Sequence, residues 1–340
     1  MRFLDEQDVR SLLDIDMAIA SQRTAFIALA RGEAWQPEKI LGGHVADEPD
    51  TVFCYASRLD RQSGPVCKFG SINPGNAVAG RPTVNAVVAV LDPLTGVPVA
   101  FMDGTAITTL RTAAASAVAV GALARKDATR LLVLGSGVQG QAHIAALQRD
   151  RAYAWTGMWS PRRSSLDASV GRLHEQGFDV ERVESLSDAI AEADVVVCAT
   201  LATEPLFSAR DLSPGATVVT VGSFDRHRRE IGPDILHASR HVVVDHEPTA
   251  RQNCGPIVAA LAQADPAELE VLELGHVLTG DATGRVSDDD IITYISAGLG
   301  VQDAAAAWSI YQRAEAHGVG QSVDWPRNTG GTEGTSTTPW

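Results

Sequence analysis

Three glycines give the first chemical signal. In RLLVLGSGVQGQAHIAALQ, Arg130 to Gln148, the apolar run Leu131 to Leu134 leads into Gly135, Gly137 and Gly140, and Val138, Ile144 and Leu147 follow at helical spacing. This is the pattern of a strand, a phosphate loop and a helix. Gly135 permits the tight turn out of the strand, Gly137 lets backbone approach a pyrophosphate, and Gly140 lets the helix lie close to the strand with its N-terminal N–H groups toward the anion. Ser136, Val138 and Gln139 complete the loop as cofactor contacts. The second strand, Tyr153 to Trp159, runs into Ser160, Pro161, Arg162, Arg163 and Ser164. An NAD site places a carboxylate about 20 residues beyond the loop for the ribose 2′-hydroxyl, whereas a 2′-phosphate takes neutral hydrogen bonders and arginines. No carboxylate stands there, so NADP(H) is favoured, with Ser160, Arg162 and Arg163 on the 2′-phosphate. NAD(H) remains the alternative if the arginines merely solvate a loop.

Two cations stand in apolar company. Lys68 lies in VCKFG, where loss of hydration would lower its pKa and make it useful as an acid or base. The same stretch also suits a surface lysine whose stem lies along apolar neighbours. Arg111 sits among Thr, Ala and Leu in TTLRTAA, with few charges competing for it. A helix-surface ion pair would explain it as well.

The elements that must position these groups alternate along the chain. From Asp5 to Arg31, apolar residues at Leu12, Ile15, Ile19, Phe26 and Leu29 predict one opening helix that stops at Gly32. Strand character follows at Val52 to Ser57, Val66 to Phe69, Val84 to Leu91 and Val97 to Asp103, with a hairpin signal at Pro93 to Gly96. Thr105 to Lys126 is alanine-rich and helical, and it leads straight to the phosphate loop. Beyond the loop the spacing predicts helices at Ser164 to Gln176 and Leu186 to Glu192, and strands at Phe178 to Val183, Val195 to Cys198, Thr217 to Val221 and His241 to Asp245. Such alternation is the mark of an α/β fold, a doubly wound parallel sheet of Rossmann type with helices on both faces. After Arg251 the chain reads helical again, and Ala304 to His317 forms a helix that returns to the first part of the molecule. The tail from Gln321, rich in Gly, Thr and Ser, buries little and is expected to be mobile.

Composition narrows the partners. The 340 residues suffice for two domains, and a net charge of −14 argues against nucleic acid or an anionic membrane as partner. Small polar metabolites remain. The four cysteines, Cys54, Cys67, Cys198 and Cys254, are scattered without metal-ligand spacing, so they are expected as reduced, buried thiols and no metal is expected. The opening MRFLDEQDVRSLL is charged from the start and lacks the apolar run of a signal peptide or membrane span, which implies a cytoplasmic protein.

Several segments together resemble one family. KFGSINPGN (Lys68 to Asn76), Gly80 to Gly104, ITTLRTAAASAVA (Ile107 to Ala119), LGSGVQGQAH and Gly275 to Asp303 are similar to the ornithine cyclodeaminase/mu-crystallin family. The resemblance covers most of the chain up to about Gly320. It implies a homodimer with an α+β substrate and dimerisation domain over residues 1–112, completed by 303–320, a Rossmann domain over 113–302, and a flexible tail over 321–340.

Roles follow from the same resemblance. Lys68 matches the family's active-site lysine, Arg111 the clamp on the substrate carboxylate, and Thr83 a position near substrate and nicotinamide. Thr112, Thr200, Ser223, Ser296 and Gly298 fall at cofactor-side positions. Lys39 stands where many members carry an arginine, and a lysine neutralises a carboxylate without gripping it at two points. In VGSFDRHRRE, Phe224 occupies the position of an aspartate found in the cyclodeaminases and the related alanine dehydrogenase. A cyclodeaminase needs that carboxylate to move protons and steady an amine, and a phenyl ring does neither. Asp225 is adjacent, though a neighbouring residue at a strand end ordinarily points elsewhere. Phe224 instead suits hydride delivery to a preformed cyclic imine. The expectation is an NADPH-dependent reductase of a cyclic ketimine carboxylate of the pyrroline-2-carboxylate or piperideine-2-carboxylate type. The alternatives are an NAD-dependent ornithine cyclodeaminase or alanine- or opine-type dehydrogenase, and a non-catalytic NADPH- and ligand-binding protein of mu-crystallin type.

Overall fold

The computed structural model describes residues 1–42, 51–77, 79–263 and 269–324. Its first half runs β1 (Arg2–Leu4), α1 (Glu6–Leu12), α2 (Ile15–Ala30), β2 (Ile40–Gly42), β3 (Thr51–Ser57), β4 (Val66–Ile72), β5 (Val84–Leu91), β6 (Pro98–Asp103) and α3 (Gly104–Leu123). The middle runs β7 (Arg130–Leu134), α4 (Val138–Asp150), β8 (Trp155–Trp159), α5 (Arg163–Glu175), β9 (Glu181–Arg182), α6 (Leu186–Glu192), β10 (Val195–Cys198) and β11 (Thr217–Thr220). Then come α7 (Pro233–Ala238), β12 (His241–Val244), α8 (Glu247–Asn253), α9 (Gly255–Leu261), β13 (Val271–Glu273), α10 (Leu274–Thr279), β14 (Ile292–Ile295), α11 (Gly300–His317) and β15 (Gln321–Ser322).

Two sheets organise these elements. One has the order β15-β1-β6-β5-β4-β3-β2 and is antiparallel except where β1 runs parallel to β6. The other has the order β13-β12-β14-β11-β10-β7-β8-β9 and every pair in it is parallel. Its order reverses between β7 and β10. That makes a crevice at their C-terminal ends, the place where open parallel sheets bind ligands. The expected α/β class is what the chain adopts.

Helix α3 ties the sheets together. Its Ala106, Ile107 and Ala114 pack in the core of the antiparallel sheet, while Ala113, Ala117 and Val120 pack in the core around the parallel one. It runs unbroken through residues 112 and 113. Alanine makes this close double packing feasible, since small side chains let other elements approach on every side. Among the described residues α3 is the one helix long and apolar enough to cross a membrane, but 78% of that stretch is buried within the fold.

Four sequence readings need correction. The single opening helix is two, because Asp5 and Asp14 each cap a helix start, Asp14 accepting from Met17 N, and Leu13 between them leaves helical geometry at φ −121. The strand expected over Phe178 to Val183 shrinks to two residues, since Gly177 (φ 88) closes α5 and Phe178 N donates to Leu173 O. The stretch after Arg251 is not wholly helical. Ile292–Ile295 forms β14 between β11 and β12, with all four residues buried, so it shows none of the alternation that marks a half-exposed strand. Finally, the tail expected to be mobile over 321–340 begins with Gln321 and Ser322 held as an edge strand on β1, and its part over 325–340 lies outside the described residues.

Cys198 and Cys254 are buried, whereas Cys54 and Cys67 are only partly so, with Sγ atoms 3.5 Å apart across β3 and β4. All four are free thiols.

Candidate active site

Alternation along β4 decides where Lys68 goes. Val66, Lys68 and Gly70 turn inward and Phe69 outward. Lys68 is opposite Tyr55 on β3 and Val88 on β5, and it is 1% exposed, which rules out the surface-lysine reading. Its Nζ lies 4.8 Å from the Tyr55 ring centre and 5.7 Å from that of Phe53. Asp303, in the first turn of α11, puts Oδ2 2.6 Å from Nζ, and Thr108 Oγ1 accepts at 3.4 Å. Burial pulls the Lys68 pKa down to about 8; Arg111 and Lys39 push the same way and Asp303 opposes them.

Arg111 reaches the same carboxylate from α3. Its Nε donates to Asp303 Oδ1 at 3.2 Å and its Nη1 to Gln302 Oε1 at 3.3 Å, which leaves Nη2 with no partner among the described residues. It is buried, so it is not a helix-surface ion pair. Gly298, at φ 73, faces this guanidinium, and a Cβ there would lie 3.6 Å from both Nη atoms.

Lys39 approaches from the other side. Its Nζ donates to Ala297 O at 2.8 Å and Phe224 O at 3.4 Å and lies 5.9 Å from the rings of both Tyr55 and Phe224. An ammonium has three donors, so one remains for a ligand. Desolvation lowers its pKa. Phe224 itself carries the Arg228 guanidinium at 5.1 Å on its ring. Asp225 Oδ1 accepts from His227 N at 2.9 Å within its own loop. Thr83 immediately precedes β5, and no hydrogen bond among the described residues joins its side chain to this cluster.

The glycine loop follows β7 into the crevice. A Cβ on Gly135 (φ 115) would meet Ala199 O at 2.3 Å, and one on Gly140 would meet Gly135 O at 1.9 Å. Gly137, the N-cap of α4, faces open space and makes no side-chain cap bond. The unbonded N–H groups of this helix start therefore face an open cradle suited to a phosphate. Ser136 Oγ pairs with Ser165 Oγ at 2.8 Å, Val138 is 60% exposed, and Gln139 Nε2 reaches Thr108 O at 3.5 Å. The Thr112 hydroxyl is turned back onto Thr108 O at 2.7 Å. At the end of β8, Ser160 and exposed Arg162 make no hydrogen bond or ion pair with an acid among the described residues, while Arg163 is paired with Glu184 at 2.5 Å.

Two buried acids that sequence reasoning passed over fix the remaining loops. Glu230 accepts from Thr200 N at 2.5 Å, Thr200 Oγ1 at 2.7 Å, Thr220 Oγ1 at 2.6 Å and Gly222 N at 2.7 Å. Ser223 Oγ pairs with Thr220 Oγ1 at 2.8 Å and accepts from Glu230 N at 3.0 Å. The hydroxyls of Thr200 and Ser223 are thus occupied in holding the loops after β10 and β11. Asp245 accepts from Ala297 N at 3.0 Å and Gly298 N at 2.8 Å, with Ser296 Oγ at 3.5 Å. It shapes the turn that presents Gly298 to Arg111. Asp303 was the most readable of the missed residues, a lone charge in VQDAAAAW.

With this geometry in place, comparison with known proteins gives one family. The model of the ornithine cyclodeaminase/mu-crystallin family matches residues 2–318. The alanine dehydrogenase of Archaeoglobus fulgidus is 29% identical over 325 residues, covering 95% of this chain and 98% of that protein. The Delta(1)-pyrroline-2-carboxylate reductase of Bacillus thuringiensis is 28% identical over 332 residues, covering 96% and 100%. The structure of Thermococcus litoralis Delta(1)-pyrroline-2-carboxylate reductase in complex with NADH and L-proline superposes with a TM-score of 0.90 at 29% identity, covering 95% of this chain and all of that one. With its parallel sheet, glycine loop and lysine-arginine pocket, the chain belongs to the ornithine cyclodeaminase/mu-crystallin family.

Proposed function

We propose that this protein reduces a cyclic ketimine carboxylate, of the pyrroline-2-carboxylate or piperideine-2-carboxylate type, to the cyclic amino acid with NADPH. It is an NAD(P)-dependent oxidoreductase acting on carbon–nitrogen bonds, as its similarity to imine reductases along the whole chain supports. The observation that carries the narrower reading is the buried Lys68–Asp303–Arg111 cluster together with Lys39, whose Nζ lies 5.9 Å from the Phe224 ring, a phenyl group where a cyclodeaminase needs a carboxylate.

The glycine loop fits a dinucleotide, since its open cradle and tight flanking contacts match a pyrophosphate on a helix start. Gly135 to Gly140 would hold the pyrophosphate, Ser160 and Arg162 the 2′-phosphate, and Ser296 and Gly298 would border the nicotinamide. When bound, the reduced nicotinamide supplies a hydride for the imine carbon beside the carboxylate. Arg111, with Nη2 unbonded, and Lys39, with one free donor, hold that carboxylate. Lys68 gives a proton to the ring nitrogen, directly or through water, and Phe224 packs on the ring and excludes solvent. The lack of a carboxylate in Ser160 to Ser164, directly after β8, supports NADPH over NADH.

Residues 1–112 with 303–320 would form the substrate and dimerisation part, and 113–302 the cofactor part. The outward face of the antiparallel sheet exposes Phe3, Val52, Phe69 and Val87, an apolar surface suited to a second copy. A Lys68→Ala protein tests the mechanism. It should bind NADPH normally and lose most of its imine reduction, and retained reduction would remove Lys68 from the chemistry.

A further inference from the structure

The Lys68 ammonium and the Arg111 guanidinium share one counter-ion. We propose that Asp303 is a positioning residue that keeps Lys68 as the proton donor and turns the unbonded side of Arg111 toward the substrate carboxylate, so that one side chain sets both docking and proton delivery. The inference rests on the reductase reading above.

Asp303 gives one oxygen to each cation, Oδ2 to Lys68 Nζ at 2.6 Å and Oδ1 to Arg111 Nε at 3.2 Å, and it is wholly buried. Among the described residues no other acid pairs with either cation. Gln302, the preceding residue of α11, takes Arg111 Nη1, so the helix start grips the guanidinium from one side and leaves Nη2 facing Gly298. The groups facing Lys68 are Phe53 and the Tyr55 phenol from β3, Thr108 and Arg111 from α3, Lys39 from the segment before β2, and Asp303 from α11. Burial and both neighbouring cations favour the neutral amine, and Asp303 alone favours the ammonium. A carboxylate docked on Arg111 offsets that cation's charge, so Lys68 holds its proton to higher pH in the complex than in the free protein.

The chain contains three lysines, Lys39, Lys68 and Lys126. Lysine labelled with carbon-13 at Cε therefore gives three resonances, assigned with Lys39→Arg and Lys126→Arg variants, that can be followed against pH without substrate. In Asp303→Asn the Lys68 resonance should titrate at least about one pH unit lower than in the parent protein. Asp303→Glu, which restores the charge, should bring it back toward the parent value while raising KM through a displaced Arg111. An unchanged Lys68 titration in Asp303→Asn overturns the proposal. Because this readout needs no substrate, it judges Asp303 even if the reductase reading fails. If the Asn variant does not fold, the parent enzyme carries the test with the substrate it reduces: the alkaline limb of kcat should lie at higher pH than that of kcat/KM, and coincident limbs overturn the proposal.

Discussion

Replacing Glu230 by alanine should destabilise the protein and loosen the cofactor crevice together. The Glu230 carboxylate is buried and receives four hydrogen bonds, two from backbone N–H groups of Thr200 and Gly222 and two from the hydroxyls of Thr200 and Thr220. The hydroxyls can re-aim, but the two N–H groups are fixed in place. Each buried donor left unmatched costs about 1–3 kcal/mol, so the pair costs about 2–6 kcal/mol. Removing a carboxylate that burial already disfavours returns part of this, and a net loss of about 3 kcal/mol is expected. Scanning calorimetry should show the melting temperature lowered by roughly 5–10 °C. Because Thr200 and Gly222 follow β10 and β11 at the ligand-binding edge, NADPH affinity should fall as well. Glu230→Gln should also destabilise, since its amide would meet a donor with a donor at one of the two oxygens. A melting temperature within one degree or so of the parent, with unchanged NADPH binding, would refute the view that this carboxylate organises the crevice.

Further outcomes follow from the same geometry. With Lys68 as acid and its pKa in the free protein drawn down from the usual lysine value to about 8, kcat/KM should be at its full value below that pH and fall as pH rises through it; a kcat/KM profile with no loss near 8 would contradict the assignment. Arg162→Ala should raise KM for NADPH about tenfold, roughly 1.4 kcal/mol, and leave KM for NADH unchanged, which steady-state kinetics with both cofactors would check. Gly298→Ala should cost about 1–2 kcal/mol from its left-handed backbone and raise KM for the imine through contact with Arg111, as thermal melts and kinetics would report.

The fold was legible wherever pattern and chemistry coincide. The glycine loop announced itself because three different constraints each demand glycine, and the structure shows a separate close contact or open approach at each. Strands β5 and β10 and helix α6 match their expected bounds because turn residues delimit them. Strand β14 stayed hidden because a central strand covered on both faces has no burial alternation, and the four-residue run Ile-Thr-Tyr-Ile is too short to tell from a helix. In the site, Lys68 and Arg111 stood out as charges in apolar runs. Asp303 is a lone charge of the same kind, but its part in joining them was hidden because it lies far along the chain, 192 positions from Arg111 and farther still from Lys68. Glu230 was masked by the charged residues just before it in DRHRRE, where burial of the last cannot be read from composition. Lys39 was legible as a site residue by position, but its bonds to Ala297 O and Phe224 O depend on loops from the opposite sheet.

The central claim is most directly tested by following cofactor oxidation optically with pyrroline-2-carboxylate and piperideine-2-carboxylate, using NADPH and NADH in parallel, beside an ammonia assay on ornithine with NAD. Rapid NADPH-dependent loss of either imine with no ammonia from ornithine is the expected result. Ammonia and proline from ornithine would contradict it, and would mean that a carboxylate such as Asp225 takes the part that Phe224 cannot.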